Sequence, residues 1–453
     1  MNAPPPPSRP LAVTFLAILG PMMLTNILQA AAGTIDGIYV GQLLGMPALA
    51  AMSTFFPVFF ALLAVVIGLS TGATVLIGQA WGARDLDKVR AVAGTAICLM
   101  LGAGLLVGVV GASLAPALMQ WLGTPTAILA DAGRYARILL SGMPLVFLLW
   151  LTTSMSRGVG DAVSPLYTLA LAAVFSLLLT PVFILGWAGL PRLGVSSAAV
   201  SSLLASTLAM AWMFWFWRRK QHPLAPGPAL WPHLRLRAHL ARRILQIGLP
   251  SCLQMLTMAG AEMVLIGLVN RHGTAATAAY GAVNQIMGWL QLPAMSLGIV
   301  STILAAHTIG AGKTDQLGRI VRTGLWMNLA VTGAMVALAY ALAPWAIGWF
   351  ITDPAVAAVA RNLLHIVAWS VVLAGTSNVL VGVMRASGTV LRPMALSIGA
   401  IVLLEIPLAY ALNTRLGLSG IWWAYALTFA SMLLLQAAFY RLVWRHKAFT
   451  RLI

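Results

Sequence analysis

The sequence predicts an all-α integral membrane protein with twelve transmembrane helices in two pseudo-symmetric six-helix bundles. Of its 453 residues, 60% are hydrophobic and only 8% are charged, whereas a soluble domain carries about 25% charged residues. Apolar runs of about 20 residues, long enough to cross a bilayer, recur from end to end. In addition, motifs of the first half return in the second half at a nearly constant spacing. These three observations leave no stretch to assign to a soluble domain.

The chain starts with a short proline-rich tail, residues 1–10, and no cleavable signal peptide is expected because the first apolar run lacks a small-residue cleavage site. From there to the end, hydropathy predicts twelve spans. They are placed at 11–38, 48–78, 90–118, 127–155, 162–186, 195–217, 244–269, 275–307, 317–348, 355–383, 392–412 and 418–440.

The basic residues predict the orientation of these spans. The net charge is +18, and only six of the 27 lysines and arginines fall on one face, namely Arg134, Arg137, Arg192, Arg271, Arg361 and Arg415. An excess of positive loops marks the cytoplasmic side. We therefore expect a multi-pass protein of a bacterial-type inner (plasma) membrane with both termini in the cytoplasm. Basic loops beside anionic lipid headgroups account for the charge, so the bilayer and not nucleic acid is the expected partner.

An internal repeat divides the chain. Four positions of the first half return 228 residues later: Gly82 as Gly310, Arg157 as Arg385, Gly160 as Gly388 and Pro165 as Pro393. Because each half has an even number of spans, both halves enter the membrane in the same direction, related by a pseudo-two-fold axis along the membrane normal. We predict an N-lobe over 1–217, a basic, proline-containing cytoplasmic linker over 218–243 and a C-lobe over 244–453.

Three acidic residues are predicted to lie within the membrane. A charged side chain there costs about 3 kcal/mol on the most lenient scale and is a functional candidate by default. Asp36 lies near the end of the first span, in Thr34-Ile35-Asp36-Gly37-Ile38-Tyr39-Val40-Gly41, and Glu262 lies in a weaker echo of that stretch. Glu405 precedes Pro407 near the middle of span eleven. For Glu262 and Glu405, a functional and a purely structural role are both open at this stage.

The sequence resembles the multidrug and toxic compound extrusion (MATE) transporters over essentially its whole length. The resemblance rests on the stretch around Asp36, on the Gly-Ala turns that end spans two and eight, and on Arg157-Gly158-Val159-Gly160-Asp161 before span five. It implies two lobes forming a V around a central cavity, a monomer, and export of amphipathic, often cationic compounds by antiport with protons or sodium. It also implies that Asp36 binds the coupling cation and that Pro21 is the hinge of the first helix.

The chain departs from the family at the positions of two known cation sites. Where some members carry Asn and Asp on span five, this sequence has Ser176 and Thr180, and where others carry Glu on span seven it has Met258. A hard cation requires several oxygen ligands and more charge than hydroxyls supply, whereas a proton requires one carboxylate. We therefore expect coupling to protons rather than to sodium, with Asp36, Glu262 and Glu405 as the coupling residues.

The expected substrate cavity is wide and largely apolar, because a site for varied amphipathic cations uses adaptable side chains and few fixed polar groups. The candidates for its lining are Asn26, Gln29, Tyr39, Met255, Met258, Asn284, Gln285 and Asn378. Cys98 and Cys252 are isolated in apolar spans, so neither a metal site nor a cofactor is predicted.

Two other functions are open alternatives. A flippase for a lipid-linked substrate, in the same superfamily, is expected to have extra spans and a more cationic cavity. An integral membrane enzyme would require a catalytic cluster at membrane depth, whereas His307 and His365 occur singly near span ends. The prediction is therefore a transporter and not an enzyme. Since no nucleotide-binding loop is recognised, an ion gradient is the expected energy source.

Overall fold

The computed structural model describes residues 10–189, 192–349, 351 and 353–453, and its regular structure over these ranges is helical. The α-helices are numbered here in chain order. They are α1 (Leu11–Leu44), α2 (Met46–Ser53), α3 (Phe56–Gly82), α4 (Leu86–Trp121), α5 (Thr126–Ser141), α6 (Met143–Gly158), α7 (Val163–Leu185), α8 (Ser196–Arg219), α9 (Ala238–Asn270), α10 (Thr274–Gly310), α11 (Leu317–Gly348), α12 (Pro354–Val367), α13 (Ser370–Ala386), α14 (Leu391–Ala400), α15 (Ile406–Leu416) and α16 (Leu418–Leu442).

The predicted number of membrane spans is confirmed. Eleven helical segments in the described part of the chain are long and apolar enough to cross a membrane, and α5 with α6 makes a twelfth span that bends by 50°. Three other spans consist of consecutive helices, α2 with α3, α12 with α13, and α14 with α15. Most helices run past the ends that hydropathy predicts; α1 reaches Leu44 and not residue 38. Hydropathy marks the apolar part of a helix, and backbone hydrogen bonding continues beyond it.

The chain folds as two compact units. The N-unit comprises Gly20–Trp81 and Asp85–Gly248, and the C-unit comprises Leu249–Leu452 with Gly82–Arg84 and the described residues up to Leu19. In the N-unit, α4 packs against α5 and α6, and α7 packs against α8. The stretch 218–243 also belongs to this unit: Thr95 on α4 donates its hydroxyl hydrogen to the carbonyl of Arg235 over 3.2 Å.

The core of the C-unit is built around α10, which packs against α11 and α13. Gly382 on α13 lies directly on the carbonyl of Gly298 on α10, where any Cβ atom would overlap. Small residues let membrane helices approach in this way. The fully buried Asn328 on α11 donates to the carbonyl of Val372 over 2.9 Å and accepts from Thr332 over 2.9 Å. Both the NH₂ group and the carbonyl oxygen of this buried amide therefore have hydrogen-bond partners.

A π-helical turn, Ile401–Glu405, joins α14 to α15. Pro407 follows it in the first turn of α15. A proline lacks the backbone N–H and its ring crowds the carbonyl four residues earlier, and a wider π turn relieves this crowding. The break that the sequence places at Pro407 thus takes the form of one π turn that ends at Glu405.

Candidate functional site

The first candidate site lies in the N-unit around Asp36 on α1. Ser176 on α7 donates its hydroxyl hydrogen to Oδ2 of Asp36 over 3.0 Å, and Thr180 donates to Oδ1 over 3.2 Å. The two donors are four residues apart, which places them on one face of α7. Ser176 is 7% exposed and Thr180 is fully buried. Each carboxylate oxygen of the half-buried Asp36 therefore has one hydroxyl partner.

This arrangement suits a group that gains and loses a proton. An ionised carboxylate only accepts hydrogen bonds, and a protonated one also donates. A hydroxyl can rotate to donate in the first state and accept in the second. Ser176 and Thr180 can thus pair with Asp36 in both states and can accept from its protonated form, which a backbone N–H or an ammonium group cannot do.

The second candidate site lies in the C-unit around Glu262 on α9. Tyr280 donates its phenol hydrogen to Oε1 over 2.6 Å, Asn284 donates its amide hydrogen to Oε1 over 3.1 Å, and Tyr425 donates to Oε2 over 3.1 Å. Tyr280 and Asn284 are four residues apart on α10, and Tyr425 comes from α16. Two helices thus direct three donors at a carboxylate on a third helix, and the ionised carboxylate is the form that accepts them best.

Glu405 is the neighbour of this cluster. It is 6% exposed, and it lies near Glu262, Tyr280 and Tyr425. Three side chains donate to Glu262, whereas no side chain in the described part of the chain donates to Glu405. Two carboxyl groups with unequal hydrogen-bond partners therefore lie near each other in the C-unit.

The other predicted site residues of the C-unit differ in their exposure and in their contacts. Asn284 joins the Glu262 cluster, and Gln285 next to it is exposed. Met258 is 40% exposed, Met255 is half-buried, and Asn378 packs against Gly298. None of these contacts tests a role in a substrate cavity, which stays a prediction.

The remaining predicted residues lie on α1. Asn26, Gln29 and Tyr39 are half-buried on the same helix as Asp36. Pro21 lies inside α1, and Thr25 donates its hydroxyl hydrogen to the carbonyl of Pro21 over 2.7 Å. The hinge role of Pro21 likewise stays a prediction.

Sequence reasoning missed the two tyrosines of the Glu262 cluster. Tyr280 lies 18 residues after Glu262, in the second turn of the next helix, so helical pairing of consecutive spans could have suggested it. Tyr425 comes from the last span, 163 residues away, and no local signal connects it with Glu262. Within the described residues, no group of three or more His, Cys, Asp or Glu side chains is arranged to hold a metal ion.

Known proteins resemble this chain over nearly its full length. The sequence matches the MatE family over residues 21–182 and 250–411. The probable multidrug resistance protein YoeA of Bacillus subtilis (strain 168) is 37% identical over 437 residues, covering 96% of this chain and 94% of that protein. The probable multidrug resistance protein YpnP of the same organism is 28% identical over 403 residues, 88% of each chain.

Solved structures share the fold. A mutant of the MATE transporter VcmN of Vibrio cholerae superposes with a TM-score of 0.88 at 19% identity, covering 96% of this chain and 98% of that one. The two ranges matched by the family lie in the two halves of the internal repeat. The chain therefore belongs to the MatE family, the multidrug and toxic compound extrusion transporters that its motifs resemble.

Proposed function

We propose that this protein exports amphipathic, often cationic organic compounds by antiport with protons, and that Asp36 is the residue that takes up the proton. The observation that carries the proposal is the pairing of Asp36 with two hydroxyl groups, those of Ser176 and Thr180. The names of the relatives YoeA and YpnP, both probable multidrug resistance proteins, support the substrate class.

The choice of the proton follows from the ligands around Asp36. A hard metal cation binds best to several oxygen ligands that include more than one charged group. Asp36 contributes one negative charge, and its described hydrogen-bond partners are two neutral hydroxyls. Sodium has too few anionic ligands there, whereas one carboxylate is sufficient for a proton.

In the proposed cycle, the proton and the cationic drug compete for the negative charge of Asp36. A proton that enters from outside neutralises Asp36, which weakens the attraction for a bound cationic drug and changes the bend of α1 near Pro21. The drug then leaves to the outside, and release of the proton to the cytoplasm restores the charge. Glu262 and Glu405 provide a second acidic group in the C-unit that takes part in cation coupling. In this proposal the protein is a monomer of the plasma membrane with both termini in the cytoplasm.

Efflux from membrane vesicles tests this function. Vesicles with wild-type protein or the Asp36→Asn variant receive a pH gradient or a sodium gradient separately, and export of a fluorescent cationic dye is recorded. We expect export with the pH gradient alone and none in Asp36→Asn. Asp131→Asn is the matched control, because Asp131 is an exposed acid paired with Arg134 on α5.

Two results would contradict the proposal. Export that depends strictly on sodium would exclude proton coupling. Normal export by Asp36→Asn, with Asp131→Asn equally active, would remove Asp36 from the mechanism.

A further inference from the structure

One turn occurs at equivalent positions in the two halves of the chain, and the side chains around it differ. In the N-unit, α6 ends at Gly158 and α7 starts at Val163; in the C-unit, α13 ends at Ala386 and α14 starts at Leu391. Each end and each start is 228 residues from its counterpart. The turns share a glycine with positive φ, +89° at Gly160 and +77° at Gly388. The backbone is thus repeated, and the side chains can be compared position by position.

In the N-unit, a carboxylate covers the start of the helix. Asp161 accepts hydrogen bonds from the backbone N–H groups of Val163 and Ser164, each over 3.0 Å, and from the hydroxyl of Ser164. The first N–H groups of a helix have no partner within the helix and carry a partial positive charge. Asp161 satisfies them with a negative group from the chain itself.

In the C-unit, this carboxylate is missing. The residue 228 positions after Asp161 is Thr389, and in the described part of the chain no side chain accepts a hydrogen bond from the first backbone N–H groups of α14. The hydroxyl oxygen of Thr389 accepts instead from Ser387 over 3.2 Å and from Nζ of Lys447 over 3.4 Å. The N–H groups at the start of α14 therefore lack the anion that their counterparts have.

A cavity of about 330 Å³ lies beside the start of α14, and the charged residues that line it are basic. Thr389, Leu391, Arg392, Phe439, Trp444 and Lys447 are among the residues that line it, and the lining contains two cations and no acid. The guanidinium group of Arg392 lies 5.9 Å from the centre of the Phe439 ring. The indole of Trp444 is held by a hydrogen bond to Ser387 over 2.9 Å. Two aromatic rings, two exposed cations and the start of α14 thus line one space.

An aromatic pair beside each turn also differs between the two halves of the chain. In the N-unit, Trp217 stacks on His222 with ring centres 4.6 Å apart, and Nε2 of His222 lies 3.6 Å from Asp161. In the C-unit, Trp444 packs on Phe449 at 4.5 Å. The aromatic contact is kept, but Thr389 stands in the place of the acid and Phe449 takes the place of the histidine.

We propose that this cavity, the Thr389 pocket, binds a phosphate group that takes the place of the Asp161 carboxylate. Phosphate is an anion that helix N–H groups, arginine and lysine all bind well. Because the pocket lies where α13 ends, α14 begins and α16 ends, the phosphate can belong to an anionic lipid headgroup or to a soluble phosphate. The proposal is independent of the transport mechanism and of Asp36.

Binding to the full-length purified protein tests the proposal. The thermal midpoint and the tryptophan fluorescence are titrated in a neutral detergent with inorganic phosphate against chloride at equal ionic strength, and with short-chain phosphatidylglycerol against phosphatidylcholine. A response to phosphatidylglycerol alone assigns the site to lipid, and an equal response to inorganic phosphate assigns it to a soluble ligand.

Variants separate this pocket from general surface charge. Arg392→Gln and Lys447→Gln should each weaken binding about tenfold or more, since each removes a charge-assisted hydrogen bond. Thr389→Asp restores the carboxylate of the other repeat, so it should abolish the response while keeping or raising the thermal midpoint. Arg441→Gln, an exposed cation of α16 outside the pocket, is the control. The proposal is overturned if the wild type responds to neither probe, or if Thr389→Asp responds as the wild type does.

Discussion

The phenol of Tyr425 on α16 donates a hydrogen bond to Oε2 of Glu262 on α9 over 3.1 Å. Tyr280 and Asn284 occupy the other oxygen of the same carboxylate. Residues that are far apart in the sequence therefore converge on one half-buried acid. Since the second acid nearby, Glu405, receives no such donor among the described residues, the two carboxyl groups of the C-unit are expected to respond differently to substitution.

Tyr425→Phe should destabilise the protein and weaken efflux. The substitution keeps the ring, which packs against Phe429 at 5.1 Å, and removes one hydrogen bond to a carboxylate. Such bonds contribute about 1.5–3 kcal/mol. The thermal midpoint in detergent and dye export in vesicles measure the two effects. Tyr410→Phe, which changes a tyrosine that is 44% exposed on α15, is the control. A Tyr425→Phe protein that matches this control in both assays would show that the bond is unimportant.

Ser176→Ala and Thr180→Val should each reduce export driven by a pH gradient, and the double variant should reduce it further. Each substitution removes one of the two hydroxyl partners of Asp36 at small cost in volume. Thr207→Val on α8 is the control, because its hydroxyl bonds only to the Leu203 carbonyl of its own helix. Initial export rates at equal protein content measure the effect. Unchanged rates in the double variant would mean that the hydroxyls do not assist Asp36.

Glu405→Gln should leave the fold intact and reduce transport. Glutamine has nearly the same shape, and no described side chain donates to Glu405, so no hydrogen bond is lost. Glu262→Gln, by contrast, replaces three hydrogen bonds to a carboxylate by weaker ones to a neutral amide and should lower the thermal midpoint as well. Comparing thermal midpoints with export rates for the two variants tests this difference. A stable Glu405→Gln protein with full export would assign Glu405 a purely structural role.

The stability of the N-unit should fall at acidic pH because of His222. Burial lowers the pKa of His222 to about 4, although the nearby Asp161 carboxylate acts in the opposite direction. The imidazole Nδ1 accepts from the backbone N–H of Leu224 over 3.3 Å, which requires the neutral ring. An unfolded histidine has a pKa of about 6.5, so between these values the unfolded chain binds the extra proton. This contribution is therefore complete above about pH 6.5 and is lost as the pH falls toward 4.

His222→Phe should remove this pH dependence. The variant has the aromatic pair that Trp444 and Phe449 form in the other repeat, so stacking on Trp217 is kept. Thermal midpoints between pH 7.5 and 5 should fall less for His222→Phe than for the wild type. His239→Phe, at an exposed histidine of α9, serves as the control. Parallel curves for the wild type and His222→Phe would contradict this explanation.

The sequence was sufficient to predict the all-helical fold and its twelve spans. Hydrophobic length and charge are properties of one stretch at a time, and the order and spacing of the Asp36, Gly-Ala and Arg157-Gly158-Val159-Gly160-Asp161 motifs were specific enough to identify the family. The partners of Asp36 were also within reach, because the resemblance pointed to Ser176 and Thr180 on span five.

The cluster around Glu262 was not predictable in the same way. The contact with Tyr425 depends on how α9 and α16 pack, which one sequence does not reveal. The Thr389 pocket shows a related limit. The repeat aligns Thr389 with Asp161, but an acid replaced by a threonine becomes meaningful only when the backbone amides, Arg392 and Lys447 are seen around the same space.

The π turn at Ile401–Glu405 accommodates one additional residue between α14 and α15. A π turn contains one residue more than the α turn it replaces, so deletion of a single residue there would restore ordinary α-helical pitch without breaking the helix. Because the π turn and the α turn that replaces it rotate the chain by nearly the same angle, α14 and α15 would keep nearly the same faces after this deletion. A deletion in the regular part of either helix would instead rotate everything beyond it by about 100°. The π turn is therefore the place in this span where the chain can change its length by one residue without changing which side chains face its neighbours.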